Sequence, residues 1–317
     1  MAVTPARTVR LIGAPADVGA GVRGACMGPQ ALRVAGLAQA LRSQGLQVSD
    51  TGDLAGPVHP EDGIPVPPGP AAPLPAAPRH LAQVVAWNRA VFTAVGAALA
   101  AGELPLLMGG DHALAVGSIS AVAAHCRQAE QRLRVLWFDA HTDVNTEAIS
   151  PSGNVHGMPV ACLLGHGPQA LVGWSGQPAA LGVADLAFIG IRSVDEAEKL
   201  AIRTLGLQVF DMRHIDEHGM RNTVTEALHG LDEDTHLHVS FDLDCLDPAD
   251  APGVGTPVRG GPTYREMQLC MEMAADTGRL GSLDVVELNP ARDIRNGTAE
   301  LAVDFVRSLF GASTLAR

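Results

Sequence analysis

Aromatic side chains are scarce in this sequence: seven Phe, three Trp and one Tyr among 317 residues. A core built on large rings is thereby excluded, and Ala, Val and Leu must fill most of the interior. Positive charge is also short. Lys and Arg number 22 against 34 Asp and Glu, a net charge of −12. That excludes a nucleic-acid backbone as the main partner, which would call for a basic surface. Part of the acidity is local and suits bound cations. No apolar run reaches the roughly 18 residues that a membrane span needs, so no membrane partner is expected. The opening Met1 to Arg7 lacks the apolar centre of a signal peptide, and a cytoplasmic protein is expected. The five cysteines (Cys26, Cys126, Cys162, Cys245, Cys270) are odd in number and form no Cys-x-x-Cys pair. Buried reduced thiols fit better than a disulfide framework or a zinc knot.

What is present is an alternation of apolar strands and helical stretches along the whole chain. Strands are expected at Val9–Ile12, Leu46–Val48, 104–108, Val135–Phe138, Leu186–Ile191, Leu207–Phe210, His236–Phe241 and Leu283–Val286. Helices are expected from Gly28 to about Arg42, Leu81–Ala101, Leu114 towards Cys126, Asp195–Leu205, and around 215–230, 263–276 and 298–310. Such alternation predicts an α/β fold with a mostly parallel central sheet between two helical layers. Residues 56–78, rich in Pro with Gly and Ala between, read as an exposed surface loop within one domain spanning 1–317.

Three strand ends carry the chemistry. Val135-Leu136-Trp137-Phe138 runs into Asp139-x-His141-x-Asp143, and side chains that alternate on a strand would point one way. Ser240-Phe241-Asp242-Leu243-Asp244 repeats the design, and Pro105–Met108 runs into Gly109-Gly110-Asp111-His112. Sites in parallel sheets form beyond the carboxyl ends of the strands, where all of these lie. If His112, Asp139, His141, Asp143, Asp242 and Asp244 converge, they are too many and too oxygen-rich for one zinc. Two divalent ions about 4 Å apart would fit, and Mn²⁺ suits carboxylates with some imidazole. Two ions sharing a water make hydroxide available near neutral pH, so hydrolysis of an unreactive carbon or phosphorus centre is expected. Cys245, at odd spacing from Asp244, is expected to pack on the other strand face. Asp111 is expected to support the ligands from behind.

These motifs, together with Gly253-Val254-Gly255-Thr256-Pro257 and Gly28-Pro29-x-Ala31-Leu32-Arg33, resemble those of the arginase/agmatinase (ureohydrolase) family over nearly the whole chain. The resemblance implies a three-layer α/β/α fold with two Mn²⁺ per chain. His112, Asp139, Asp143 and Asp242 would hold one ion, and Asp139, His141, Asp242 and Asp244 the other. A metal-bridging hydroxide oriented by Asp143 would attack the guanidinium carbon, giving urea and an amine. His156 would carry a proton to the leaving amine, and Glu287 would salt-bridge the guanidinium.

Ser152-Gly153-Asn154-Val155-His156-Gly157 resembles the arginase form of the substrate loop, which implies L-arginine as substrate. Asn145 and Ser152 would bind its α-carboxylate, and Asp195, with Glu198, its α-ammonium; Thr256 would be a pocket wall or a turn residue. Neutral donors suit a carboxylate, and a carboxylate suits an ammonium. Ser193 departs from members that carry Asp there, which implies a less acidic ammonium site. The close of the chain soon after its last helix implies compact homo-oligomers, hexamers or trimers. The rival expectations are a ureohydrolase for agmatine or a guanidino acid, a catalytically silent regulator, and a single-metal deacetylase. The last would not need His112 with four aspartates, and a silent homologue should have lost a ligand or His156.

Overall fold

The computed structural model describes residues 8–60 and 77–315. Eight strands form one sheet: β1 (Thr8–Ala14), β2 (Gln47–Asp53), β3 (Leu104–Gly109), β4 (Arg132–Phe138), β5 (Leu186–Ile191), β6 (Gln208–Asp211), β7 (Thr235–Asp242) and β8 (Leu280–Val286). Their order is β2-β1-β3-β8-β7-β4-β5-β6, and every pairing is parallel. β3, β5, β7 and β8 are buried along their whole length, which is why they read as unbroken runs in the sequence.

Among the described residues ten α-helices follow or separate the strands: α1 (Gly28–Val34), α2 (Leu37–Ser43), α3 (Leu81–Ala100), α4 (Ala115–Gln128), α5 (Pro159–Leu163), α6 (Glu196–Leu205), α7 (Met212–His218), α8 (Met220–Ala227), α9 (Tyr264–Asp276) and α10 (Gly297–Leu309). They divide into two layers because strand side chains alternate faces. Leu136, Phe138, Val239, Phe241, Leu283 and Val285 pack against α1, α2 and α7 to α10. Val135, Trp137 and Phe188 pack on the opposite face with Ala115 and Ile119 of α4, Val160 of α5, and partly buried Ile202 of α6. Ile12 and Leu107 meet α3 and α4 on that same face. The expected three-layer α/β/α architecture is what the chain forms.

Two expected helices are each two. The first breaks at Gly36, whose φ of 84° no helix can hold, so α1 and α2 are separate. Gly219, at φ 79°, likewise parts α7 from α8. Residues 61–76 of the proline-rich stretch lie outside the described residues. Its near flanks are tied down: Trp87 Nε1 donates to Pro57 O at 3.0 Å, and Arg79 N to Gly153 O at 2.8 Å. Among the described residues no helix is long and apolar enough to cross a membrane.

Candidate metal centre and substrate cavity

The four adjacent central strands β3, β8, β7 and β4 all release their chains at one edge of the sheet, and the candidate ligands sit there. The expected strand alternation is not what brings them together. β4 ends at Phe138 and β7 at Asp242, so the ligands beyond lie on turns. His141 N donates to Asp139 Oδ1 at 2.6 Å, folding the chain back on itself. Asp143 then takes φ 53°, in the left-handed region. Asp242 caps a short 3₁₀ turn, Leu243–Cys245, by accepting from Asp244 N at 2.7 Å. Each acidic side chain thus shapes the turn that carries the next.

His112 lies one turn beyond β3. Its Nδ1 is buried and, among the described residues, without a hydrogen-bond partner. It points at Asp139 Oδ2 (3.1 Å), Asp143 Oδ2 (3.3 Å) and Asp242 Oδ2 (3.1 Å). His141 Nδ1 lies 3.1 Å from Asp244 Oδ2 and 3.4 Å from Asp139 Oδ1. Ligand atoms of His112, Asp139 and Asp143 lie within 4.8 Å of one another, and so do those of Asp139, His141 and Asp244. Asp139 belongs to both groups. Hard oxygens with one imidazole each, and an orphaned nitrogen aimed between three carboxylates, fit divalent cations.

The electrostatics agree. Burial, then Asp139, pushes the Asp143 carboxyl well above its ordinary range, and burial, then Asp244, does the same to Asp242. Burial opposes a charged His141, but Asp244 and Asp139 outweigh it and raise its pKa far above normal.

Supporting contacts fix these groups. Ser240 Oγ lies 2.8 Å from His112 Nε2, and Trp137 stacks on the same imidazole with centroids 4.0 Å apart. Trp137 Nε1 also donates to Asp139 Oδ2 at 2.9 Å. Asp111 accepts from Gly19 N (2.8 Å) and Ala113 N (3.0 Å), capping the turn that begins at His112. Cys245 is buried, its Sγ against Ile189 O, and belongs to neither group of ligand atoms found among the described residues. Ser240 and Trp137 carried no role in the sequence reading, because a buried Ser or Trp on a strand looks like core until its partner is known.

A cavity of about 130 Å³ opens over the ligands. His112, His141, Asp143, Asp242 and Asp244 form part of its lining, with Asn145, His156, Ser193, Asp195, Glu198 and Thr256 around them. Asn145 Nδ2 reaches Asp195 Oδ2 at 3.4 Å, and its Oδ1 is buried without a partner. Glu198 accepts from Thr142 Oγ1 and from Asp195 N, both at 3.0 Å, so it braces Asp195. Thr256 Oγ1 donates to Asp244 Oδ2 at 2.9 Å. Three expected site residues are not part of the lining: Asp139, which is fully buried, Ser152 and Glu287. Ser152 is exposed, with its hydroxyl accepting from Asn154 N at 3.1 Å. Glu287 is buried; its Oε1 accepts from His112 N (2.9 Å) and pairs with His156 Nδ1 (3.1 Å). Burial disfavours a charged His156, but this carboxylate outweighs it and raises the imidazole pKa.

The family model described as "Arginase family" matches residues 7–311. The arginase of Bacillus caldovelox is 42% identical over 310 residues, covering 96% of this chain and 98% of that protein. The arginase of Bacillus subtilis is 40% identical over 314 residues, covering 98% and 99%. The crystal structure of arginase from Bacillus cereus superposes with a TM-score of 0.88 at 39% identity, covering 98% of this chain and 100% of that one. A parallel α/β sheet with two acidic, imidazole-bearing groups for metal ions at its carboxyl edge, in such company, defines a hydrolase. The chain belongs to the arginase family.

Proposed function

We propose that this enzyme hydrolyses L-arginine to urea and L-ornithine, with two Mn²⁺ held by the six residues that converge at the sheet edge. The observation that carries the reading is the paired grouping of His112, Asp139 and Asp143 with Asp139, His141 and Asp244 beneath one small polar cavity. Relatives about 40% identical over nearly their full length bear the name arginase. When bound, such cations supply Lewis acidity that makes hydroxide available near neutral pH. The chain's own residues do the rest. Asp143, at the floor of the cavity, accepts a hydrogen bond from the attacking oxygen and orients it. His156 Nδ1 is held by Glu287, which leaves Nε2 to carry a proton to the leaving amine. Asn145 meets the substrate carboxylate, and Asp195, braced by Glu198, meets its ammonium. Glu287, buried outside the cavity lining, is read as holding His156 in place rather than as touching the guanidinium. The whole chain is read as one ureohydrolase domain built on the single sheet.

One observation favours a second reading. Ser152 does not line the cavity, which leaves the substrate carboxylate with fewer donors and brings agmatine or another guanidino compound into view. The test is urea release by metal-stripped protein before and after Mn²⁺ is restored, with L-arginine and agmatine in parallel. Activity that returns with Mn²⁺ and prefers arginine is expected. Preference for agmatine overturns the substrate, and no urea from either with two ions bound overturns the reaction.

A further inference from the structure

Arg192 stands one residue past β5 and is half-buried. Among the described residues its guanidinium makes six hydrogen bonds, all to backbone carbonyls. Nε and Nη2 donate to Val258 O (3.2 and 2.7 Å), and Nη1 to Gly190 O (3.0 Å) and Cys245 O (2.9 Å). Nη2 also donates to Asp244 O (2.9 Å) and Leu246 O (3.1 Å). Three of these five carbonyls belong to the turn that carries Asp244. A fourth lies two residues past Thr256, whose hydroxyl holds Asp244 Oδ2. The backbone completes the pattern. Arg192 N and Ser193 N both donate at 2.9 Å to Ala140 O, between Asp139 and His141. Ala140 N in turn donates to Asp244 Oδ1 at 3.2 Å.

Every residue of the Asp139–His141–Asp244 group is thus tied to Arg192 through its own turn. The His112 side is held by other means: Ser240 and Trp137 fix the imidazole, and Glu287 its backbone. We infer that Arg192 is a positioning residue for one of the two cation sites: its side chain sets the place of Asp244, the carboxylate that belongs to the Asp139–His141–Asp244 group alone, and touches the His112 group only through the shared Asp139. A planar fork with five donors can bridge five carbonyls at once; an ammonium, which donates from a single point, cannot. The inference rests on the two-cation reading above, but its test reads cation binding rather than urea.

The experiment is Mn²⁺ titration of metal-stripped wild type and Arg192→Lys by calorimetry, with bound metal counted after gel filtration. The wild type is expected to take two equivalents. Arg192→Lys is expected to keep one at wild-type affinity and bind the other about tenfold to a hundredfold more weakly, the usual effect of losing an outer support. Asp244→Asn, which removes a ligand outright, gives the reference pattern. Equal weakening of both equivalents, or of neither, overturns the inference. Should Arg192→Lys not fold, amide exchange of the wild type decides. Amides of 190–193 and 243–258 should stay protected in metal-stripped protein, since carbonyls and not cations hold them. Exchange as fast as in exposed loops overturns it. A wild type that takes two equivalents but releases no urea from arginine would sink the substrate reading alone.

Discussion

Asn145→Ala separates the substrate carboxylate from everything else in the cavity. Asn145 is fixed through its backbone, whose N–H donates to Gly157 O at 3.1 Å, so the loop should survive loss of the side chain. The amide is little used by the protein itself: Nδ2 meets Asp195 only at 3.4 Å, and Oδ1 is buried and unpartnered. Removing an unsatisfied buried oxygen does not lower stability, so the melting temperature should hold. What is lost is a hydrogen bond to a charged substrate group, worth about 1.5–3 kcal/mol. At about 1.4 kcal/mol per factor of ten, kcat/KM for L-arginine should fall about tenfold to about a hundredfold. The loss should appear mainly in KM, because the carboxylate is bound alike in ground and transition states. Agmatine has no carboxylate and should be processed as by the wild type. Initial rates of urea release from both substrates at saturating Mn²⁺ measure this. Equal losses on the two substrates, or no loss on arginine, would refute the assignment of Asn145.

Two further outcomes follow from the same geometry. Ser240→Ala deprives His112 Nε2 of its buried partner, so Mn²⁺ affinity should drop about tenfold to about a hundredfold, with urea release recovering in excess Mn²⁺. Activity that stays low at saturating metal would mean that Ser240 does more than hold the ligand. Second, metal-free protein holds protons on Asp143, Asp242 and His141 above their ordinary pKa values, and cation binding must expel them. Affinity should therefore rise with pH, and calorimetry in buffers of different ionisation enthalpy should record proton release. A pH-independent affinity would contradict the proposed ligand set.

The candidate ligands were legible in the sequence because acid and imidazole in short alternation at the end of an apolar run have few other uses. The parallel sheet was legible because β3, β5, β7 and β8 are buried on both faces and spell continuous runs. Other features were not. Asp139 to Asp143 were read as a strand, because only the Asp139 carboxylate accepting from His141 N reveals the turn. The break at Gly36 was invisible, since glycine also occurs inside helices and only its positive φ decides. Ser152 shared a motif with His156, and Glu287 directly follows an apolar strand, yet one faces solvent and the other is buried against His112 and His156. Arg192 was spelled out and given no role, because a guanidinium that serves five carbonyls leaves no complementary acid to find.

Asp143 and Glu287 both hold left-handed backbones, at φ 53° and 62°, each immediately beneath the reacting region. For residues with a side chain this costs about 1–2 kcal/mol apiece, and glycine would relieve it. A population of variants screened for heat resistance alone would be rewarded for glycine at these two positions and would drift towards inert, sturdier proteins. Only a screen that also demands turnover keeps the acids in place, so their persistence in descendants of this sequence would record which pressure had been acting.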